Sequence, residues 1–325
     1  MKLAILFLTF LVYCNLPAQN YFAYQETFNR VDEDLFAGNL PLAMERLDSI
    51  EGSYAFIYGH HCVKGLQICC KATDSLRAEK WLIRAFKQGI PVWMIRNDGL
   101  MNKTFGFQNT IPVIRSYDSL HAVYEESYNH QLRARLDSLI ERDQFYTHKV
   151  NEVFIPLRLG VFFRWKRANV RHAHCIKAIT EQDGFPGERL IGFPLTVVDS
   201  AMNFKFTNAR GANPNETSAY IMLIHYYSSP RNDMNGLLLK SIAIGDLPPD
   251  FYGAWNDFMA LHGKKKYRES FYNVWHKDLH EEHLPAIDER RKAVGLNSFE
   301  QQERNEAVSK VRSKEGKINS EILLE

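Results

Sequence analysis

Six apolar or aromatic residues, Leu120, Tyr124, Tyr128, Leu132, Leu136 and Ile140, follow one another at every fourth position. Residues four apart stack on one face of an α-helix, so this ladder is one continuous apolar stripe. Glu125, Glu126, Arg133, Arg135, Asp137, Glu141 and Arg142 fall elsewhere on the same stretch and read as its solvated face. The spacing predicts a single amphipathic helix from Asp118 to Phe145, with Ser116 or Asp118 as its N-cap.

The same period governs the chain before it. Tyr24, Phe28, Val31 and Leu35 recur at helical spacing, and Gly38-Asn39 breaks that helix. Pro41 suits the first turn of the next, which carries Leu42, Met44, Leu47 and Ile50. Ser53 is a candidate cap for a third helix running through Lys71. Thr73 or Asp74 caps a fourth, which stops at Gln88-Gly89. Ala37, Ala43 and Leu47 return 35 residues later as Ala72, Ala78 and Leu82. That offset resembles the tetratricopeptide class of helical repeats, whose period is about 34 residues. A plain helical bundle fits the pattern equally.

Pro91, Asn97-Asp98-Gly99, Gly106 and Pro112 punctuate residues 91–117 and mark a domain boundary. Beyond the ladder, further helices are expected over 165–182, 218–227, 234–244, 250–262 and 267–283, with a glycine- and proline-rich passage from Gly184 to Pro194. Val153–Trp165 is apolar but interrupted by Pro156, Arg158 and Arg164. From Ser298 the chain turns polar. The expectation is an all-α protein with a helical-repeat-like domain over 20–112, a second helical domain over 113–300 and a polar tail over 301–325.

The first 19 residues differ in kind. Lys2 precedes an apolar run from Leu3 to Val12, and Pro17-Ala18-Gln19 leads into polar sequence. This is the order of a secretory signal peptide, and the run is shorter than the roughly 20 residues a spanning helix needs. Cleavage after Gln19 would leave a periplasmic or secreted chain without a transmembrane anchor. Tyr13 stands before Cys14, where a lipidation signal wants a small residue. The formal net charge of +2 lacks the basic excess expected of a nucleic-acid binder. Four cysteines remain, Cys62, Cys69, Cys70 and Cys175. Export permits disulfides. Cys62 and Cys69 lie about 10 Å apart along one helix, too far to bridge. Pairing of Cys175 with the 62–70 region stays open, and buried free thiols are the favoured reading.

The C-terminal half has an order of short motifs. Asp143-Gln144 closes a helix. Asp183-Gly184-Phe185-Pro186 with Ile191-Gly192, Ile224-His225, Tyr252–Asp257 and Gly263 with Phe271-Tyr272 follow. Asp288, Arg290, Arg291 and Gly295-Leu296 close the series. Over residues 130–300 this order resembles an uncharacterised family of exported bacterial proteins of the Bacteroidetes type. That family has Gln-His where this chain has Ile224-His225, Asp-Arg where it has Asp257-Phe258, and a Gln-Tyr-Gly-Thr-Gln-like stretch where it has Phe271-Tyr272-Asn273-Val274. The resemblance brings no activity with it, and the departures imply that part of any polar site is lost.

Few residue patterns point to chemistry. His276, His280 and His283 share one helix face, yet His280-Glu281-Glu282-His283 has the wrong spacing for a zinc protease, and a metal would need a further ligand. No nucleophile motif or phosphate-cradling loop is present, and no cofactor is expected. Asp183, His225, Asp257, Asp288 and Arg290 form the candidate ligand-binding set. Arg290 and Arg291 read first as ion pairs tying the C-terminal segment to the body. The leading expectation is a non-enzymatic module that binds an envelope or secreted protein or peptide. The alternative is a hydrolase-like or small-ligand-binding enzyme with a pocket around His225, Asp257 and Arg290.

Overall fold

The structure, a computed structural model, describes residues 19–96, 98–105, 112–152, 154–193, 218–225, 234–262, 272–274 and 283–304. The signal-peptide stretch before Gln19 and residues 305–325 of the expected tail lie outside them. All regular structure among the described residues is helical, as the periodicity predicts.

Helices α1 (Tyr21–Phe36), α2 (Leu40–Ser53), α3 (Gly59–Lys71) and α4 (Ser75–Lys87) pack as two successive hairpins, α1 on α2 and α3 on α4. Side chains close their N-terminal ends where the sequence marks them. Asn39 accepts from the Leu42 amide, with Pro41 in the first turn, and Asp74 accepts from the Arg77 amide. Such caps satisfy amides that have no partner inside the helix. Helix α4 stops at Gly89, whose φ is +87°. A Cβ there would stand 2.5 Å from the Tyr124 ring, so both conformation and space require glycine. Ala37 and Ala72, 35 residues apart, are C-caps of α1 and α3 with nearly the same backbone angles. Ala43, Leu47, Ala78 and Leu82 are all buried.

The third helix starts later than the sequence predicts. Ser53 ends α2, the chain runs on through Tyr54–Tyr58, and α3 begins at Gly59. Tyr58 stands at its N-cap position and supplies no side-chain hydrogen bond. The Gly59 amide donates instead to the carboxylate of Glu188, at 2.7 Å.

Short helices α5 (Val92–Arg96), α6 (Gly99–Phe105) and α7 (Pro112–Arg115) fill the punctuated stretch. The ladder helix is then a correction: it is two helices, α8 (Tyr117–Ser127) and α9 (His130–Glu152). Tyr128 is extended, with φ −120° and ψ 164°. The Asn129 side chain accepts from the Leu132 amide at 2.9 Å, which caps α9 internally. The Asn129 amide donates to the Leu190 carbonyl. The two halves of the ladder therefore serve different cores. Tyr124 packs with Phe28, Leu47, Trp81 and Phe86, whereas Leu132 and Leu136 pack with Ile176, Phe185, Met222 and Phe251.

The second core gathers α9, α10 (Ile155–Gln182), α11 (Glu188–Ile191), α12 (Ser218–His225), α13 (Asn235–Ala243) and α14 (Pro249–His262), with Val294 and Leu296 just beyond α15 (Leu284–Ala293). Helices α9 and α10 pair with each other, and α12 packs against both. Helix α10 begins ten residues before its expected start, because Pro156 occupies the first turn, where a proline lacks no needed amide. At the far end, residues 299–304 are helical instead of tail-like. Gln301 is buried there and donates to the Asn29 carbonyl of α1 at 2.7 Å.

Further bonds join the two cores. Tyr58 donates through its hydroxyl to the Gly245 carbonyl, and Asn29 donates to that of Gly295. Gly245 has φ +81°, and a Cβ on it would stand 2.5 Å from the Tyr21 ring. All four cysteines of the described chain are unpaired. Burial pushes the Cys69 and Cys70 thiols up to about 12 and raises that of Cys62 further, so they are unreactive packing groups.

Candidate docking site

The residues singled out from sequence stand on different elements of the described fold. Asp183 is the exposed C-cap residue of α10. His225 ends α12, and its side chain lies outside the described residues, as do His276 and His280. His283 precedes α15. Among the described residues, no three His, Cys, Asp or Glu side chains are placed to hold a metal ion.

Asp257, Asp288 and Arg290 lie near the C-terminal segment, where the two carboxylates hold backbone. Asp257 is fully buried and accepts from the amides of Tyr272 and Val274, at 2.7 and 2.6 Å. Between them Asn273 adopts a positive φ of 50°. Asp288 accepts from the Phe299 amide at 2.7 Å. The buried arginine is Arg291, not Arg290. It donates to the carbonyls of Tyr272 and Asn297 and to the Gln302 side chain. A tie between the C-terminal segment and Tyr272 is present as a hydrogen bond to backbone. The bonds of this region run from the Arg291 guanidinium to carbonyls and from the two carboxylates to amides. Burial also raises the Tyr272 hydroxyl well above its ordinary range.

The most perturbed carboxyl is one the sequence did not single out. Glu188 is 3% exposed, and burial lifts its pKa to about 8. Bonds from the Gly59 amide and the Gln88 side chain oppose that rise and do not cancel it. Its second oxygen has no hydrogen-bond partner among the described residues. Its position at the head of α3 accounts for its presence, since the first amides of a helix attract an acceptor.

A different part of the molecule faces outward. Helices α9 and α10 are roughly 34 and 42 Å long at about 1.5 Å per residue, and only part of each is covered. Buried residues of α9 end at Asp143, and those of α10 begin at Ala168. Between these limits every described side chain is exposed or half-buried. The neck of this hairpin is pinned by Asp143, fully buried, which accepts from the Trp165 indole at 3.1 Å. Beyond the neck stand large apolar side chains in solvent: Phe154 at 74% exposure, Leu157 at 66%, Leu159 at 65%, Phe163 at 58% and Phe145 at 52%. Exposed apolar clusters of this kind mark interaction sites on stable proteins. The sequence shows Val153–Trp165 as apolar, but no local pattern records that Phe154, Leu157, Leu159 and Phe163 stand exposed in the fold.

Charge accompanies the apolar tip. Residues 144–167 carry Lys149, Arg158, Arg164, Lys166 and Arg167 against the single acid Glu152, a net charge above that of the whole chain. These five basic residues are exposed, and the Lys149 ammonium lies 4.8 Å from the centre of the Phe145 ring. No protein-family model, curated protein or solved structure matches the chain.

Proposed function

We propose that this chain is an exported, non-enzymatic docking protein that holds to another component of the cell envelope through the tip of the α9–α10 hairpin. The observation that carries this reading is the group of large apolar side chains exposed beyond the Asp143–Trp165 neck. A stable fold that leaves Phe154, Leu157, Leu159 and Phe163 in water forgoes roughly 1.5–3 kcal/mol of burial for each. Binding recovers it. The signal-peptide-like start supports an extracytoplasmic setting. The repeat-like hairpins α1–α4 fit a scaffold that carries the projecting element. The enzyme alternative draws less support, because Asp257 and Asp288 both hold backbone amides.

The test is co-sedimentation of the purified protein with isolated cell envelopes. The wild type is expected in the pellet, and the double variant Leu157→Ser, Phe163→Ser in the supernatant with an unchanged helical spectrum. Equal partition of the two proteins would refute docking through the tip.

A further inference from the structure

Resting on that docking reading, we infer that the tip's partner is the surface of an anionic phospholipid bilayer, with the apolar residues entering the headgroup–acyl boundary and the basic residues meeting the headgroups. The combination of exposed apolar and basic side chains on one element carries the argument. Leu157, Leu159, Phe162 and Phe163 are all exposed, with Leu159, Phe162 and Phe163 on one side of the helix at i, i+3 and i+4. Residues 144–167 add five basic residues against one acid. An anionic bilayer surface takes both the apolar and the basic groups.

The order along the helix is the second observation. From Phe154 to Phe163 the only charged residue is Arg158, and Arg164, Lys166 and Arg167 follow at once. They begin roughly 15 Å from Phe154. A bound interfacial helix buries its apolar face about 5–10 Å deep and keeps Lys and Arg at the headgroups. A leaning hairpin meets both conditions. Arginine and lysine stems reach back toward water while their methylenes stay in the apolar layer, which accommodates Lys149 and Arg158. Glu152 near the apex limits the depth, because a carboxylate gains nothing among anionic headgroups. Nor is any described helix long and apolar enough to cross a membrane. The tip would therefore lie on the bilayer surface.

The experiment uses the full mature chain and vesicles of equal parts phosphatidylglycerol and phosphatidylcholine, with pure phosphatidylcholine vesicles as comparison. Binding to the anionic vesicles is expected to be at least tenfold tighter. It should weaken at least tenfold between 0.05 and 0.5 M salt, as screening shortens the range of the charges. Leu157→Ser with Phe163→Ser should lower binding at least tenfold, and so should Arg164→Gln with Lys166→Gln and Arg167→Gln. All of these side chains are exposed, so folding is not at stake. A chain that stays in the supernatant with anionic vesicles, or binds both vesicle types alike, overturns the lipid assignment. If the serine variant still loses envelope binding in that case, docking through the tip stands and its partner is a protein. A wild type that dimerises through the tip, with the serine variant monomeric, likewise overturns the lipid assignment.

Discussion

The carboxylate of Glu188 accepts a hydrogen bond from the amide of Gly59, 129 positions earlier in the chain, and in doing so caps a helix that has no local cap. One side chain thus joins the two cores and fixes where α3 begins. Burial makes it a weak acid, with a pKa of about 8 against 4.5 in the unfolded chain.

That difference has a definite sign. The folded protein holds the Glu188 proton more tightly than the unfolded one does. Its contribution is fully present below pH 4.5, falls as the pH rises from 4.5 to 8, and is flat above. The full loss is on the order of 5 kcal/mol. Asp246, raised by burial to about 6, adds a slope of the same sign over a lower range, and buried His61, lowered by burial, adds the opposite slope in acid. Glu188→Gln isolates the term, since its amide oxygen still accepts from Gly59. Urea unfolding at pH 5 and pH 8.5 should show the variant gaining stability relative to wild type at the higher pH. A constant difference between the two proteins at both pH values would refute the assignment.

Asp257→Ala tests whether that carboxylate is a structural clamp. The substitution strands two amides, those of Tyr272 and Val274, in a buried setting. Leaving buried donors unsatisfied and opening a small cavity costs about 3–5 kcal/mol together. A chemical denaturation midpoint within error of wild type would remove the clamp role and return Asp257 to the list of candidate site residues.

Local signals were legible in the sequence where a residue acts on its own neighbours. Asn39 and Asp74 cap helices three residues ahead, and Gly89 ends one. The all-helical class follows from the same period. Partners distant in sequence were not legible. The Leu120–Ile140 ladder reads as one helix because the stripe passes unbroken through Tyr128. Asn129 breaks it by using its side chain on Leu132 and its amide on Leu190. The late start of α3 depends on Glu188. The docking tip was visible only as an apolar stretch, since hydrophobicity predicts burial and says nothing of a hairpin that outruns its core. Arg291 and Arg290 are adjacent, and composition alone could not say which one turns inward.

Gly245 sits where the second core meets the aromatic ring of Tyr21. Gly245→Ala should destabilise by about 2–4 kcal/mol, combining a positive φ with overpacking. The clash is with a ring, 2.5 Å from the added carbon. The paired variant Gly245→Ala, Tyr21→Leu separates the two causes. It should recover part of the loss in thermal unfolding, leaving the backbone cost. No recovery would mean that contact with Tyr21 is not what excludes a side chain there.

The hairpin neck is expected to govern the tip and little else. Trp165→Phe removes the donor to Asp143 while keeping an aromatic ring. A hydrogen bond to a charged group is worth about 1.5–3 kcal/mol, and here its loss falls on an element none of whose described outer side chains is buried. Amide hydrogen exchange should therefore quicken about tenfold or more across residues 144–152 and 157–167. Amides around Leu136 and Ile176, deep in the second core, should keep their protection. Uniform acceleration in both regions would show that the neck stabilises the whole domain. An unchanged tip would show that α9 and α10 hold together without it. In the expected case the variant also separates rigidity from composition at the docking site, because its apolar and basic residues are all retained. Weaker docking by Trp165→Phe would then report the ordering of the tip alone.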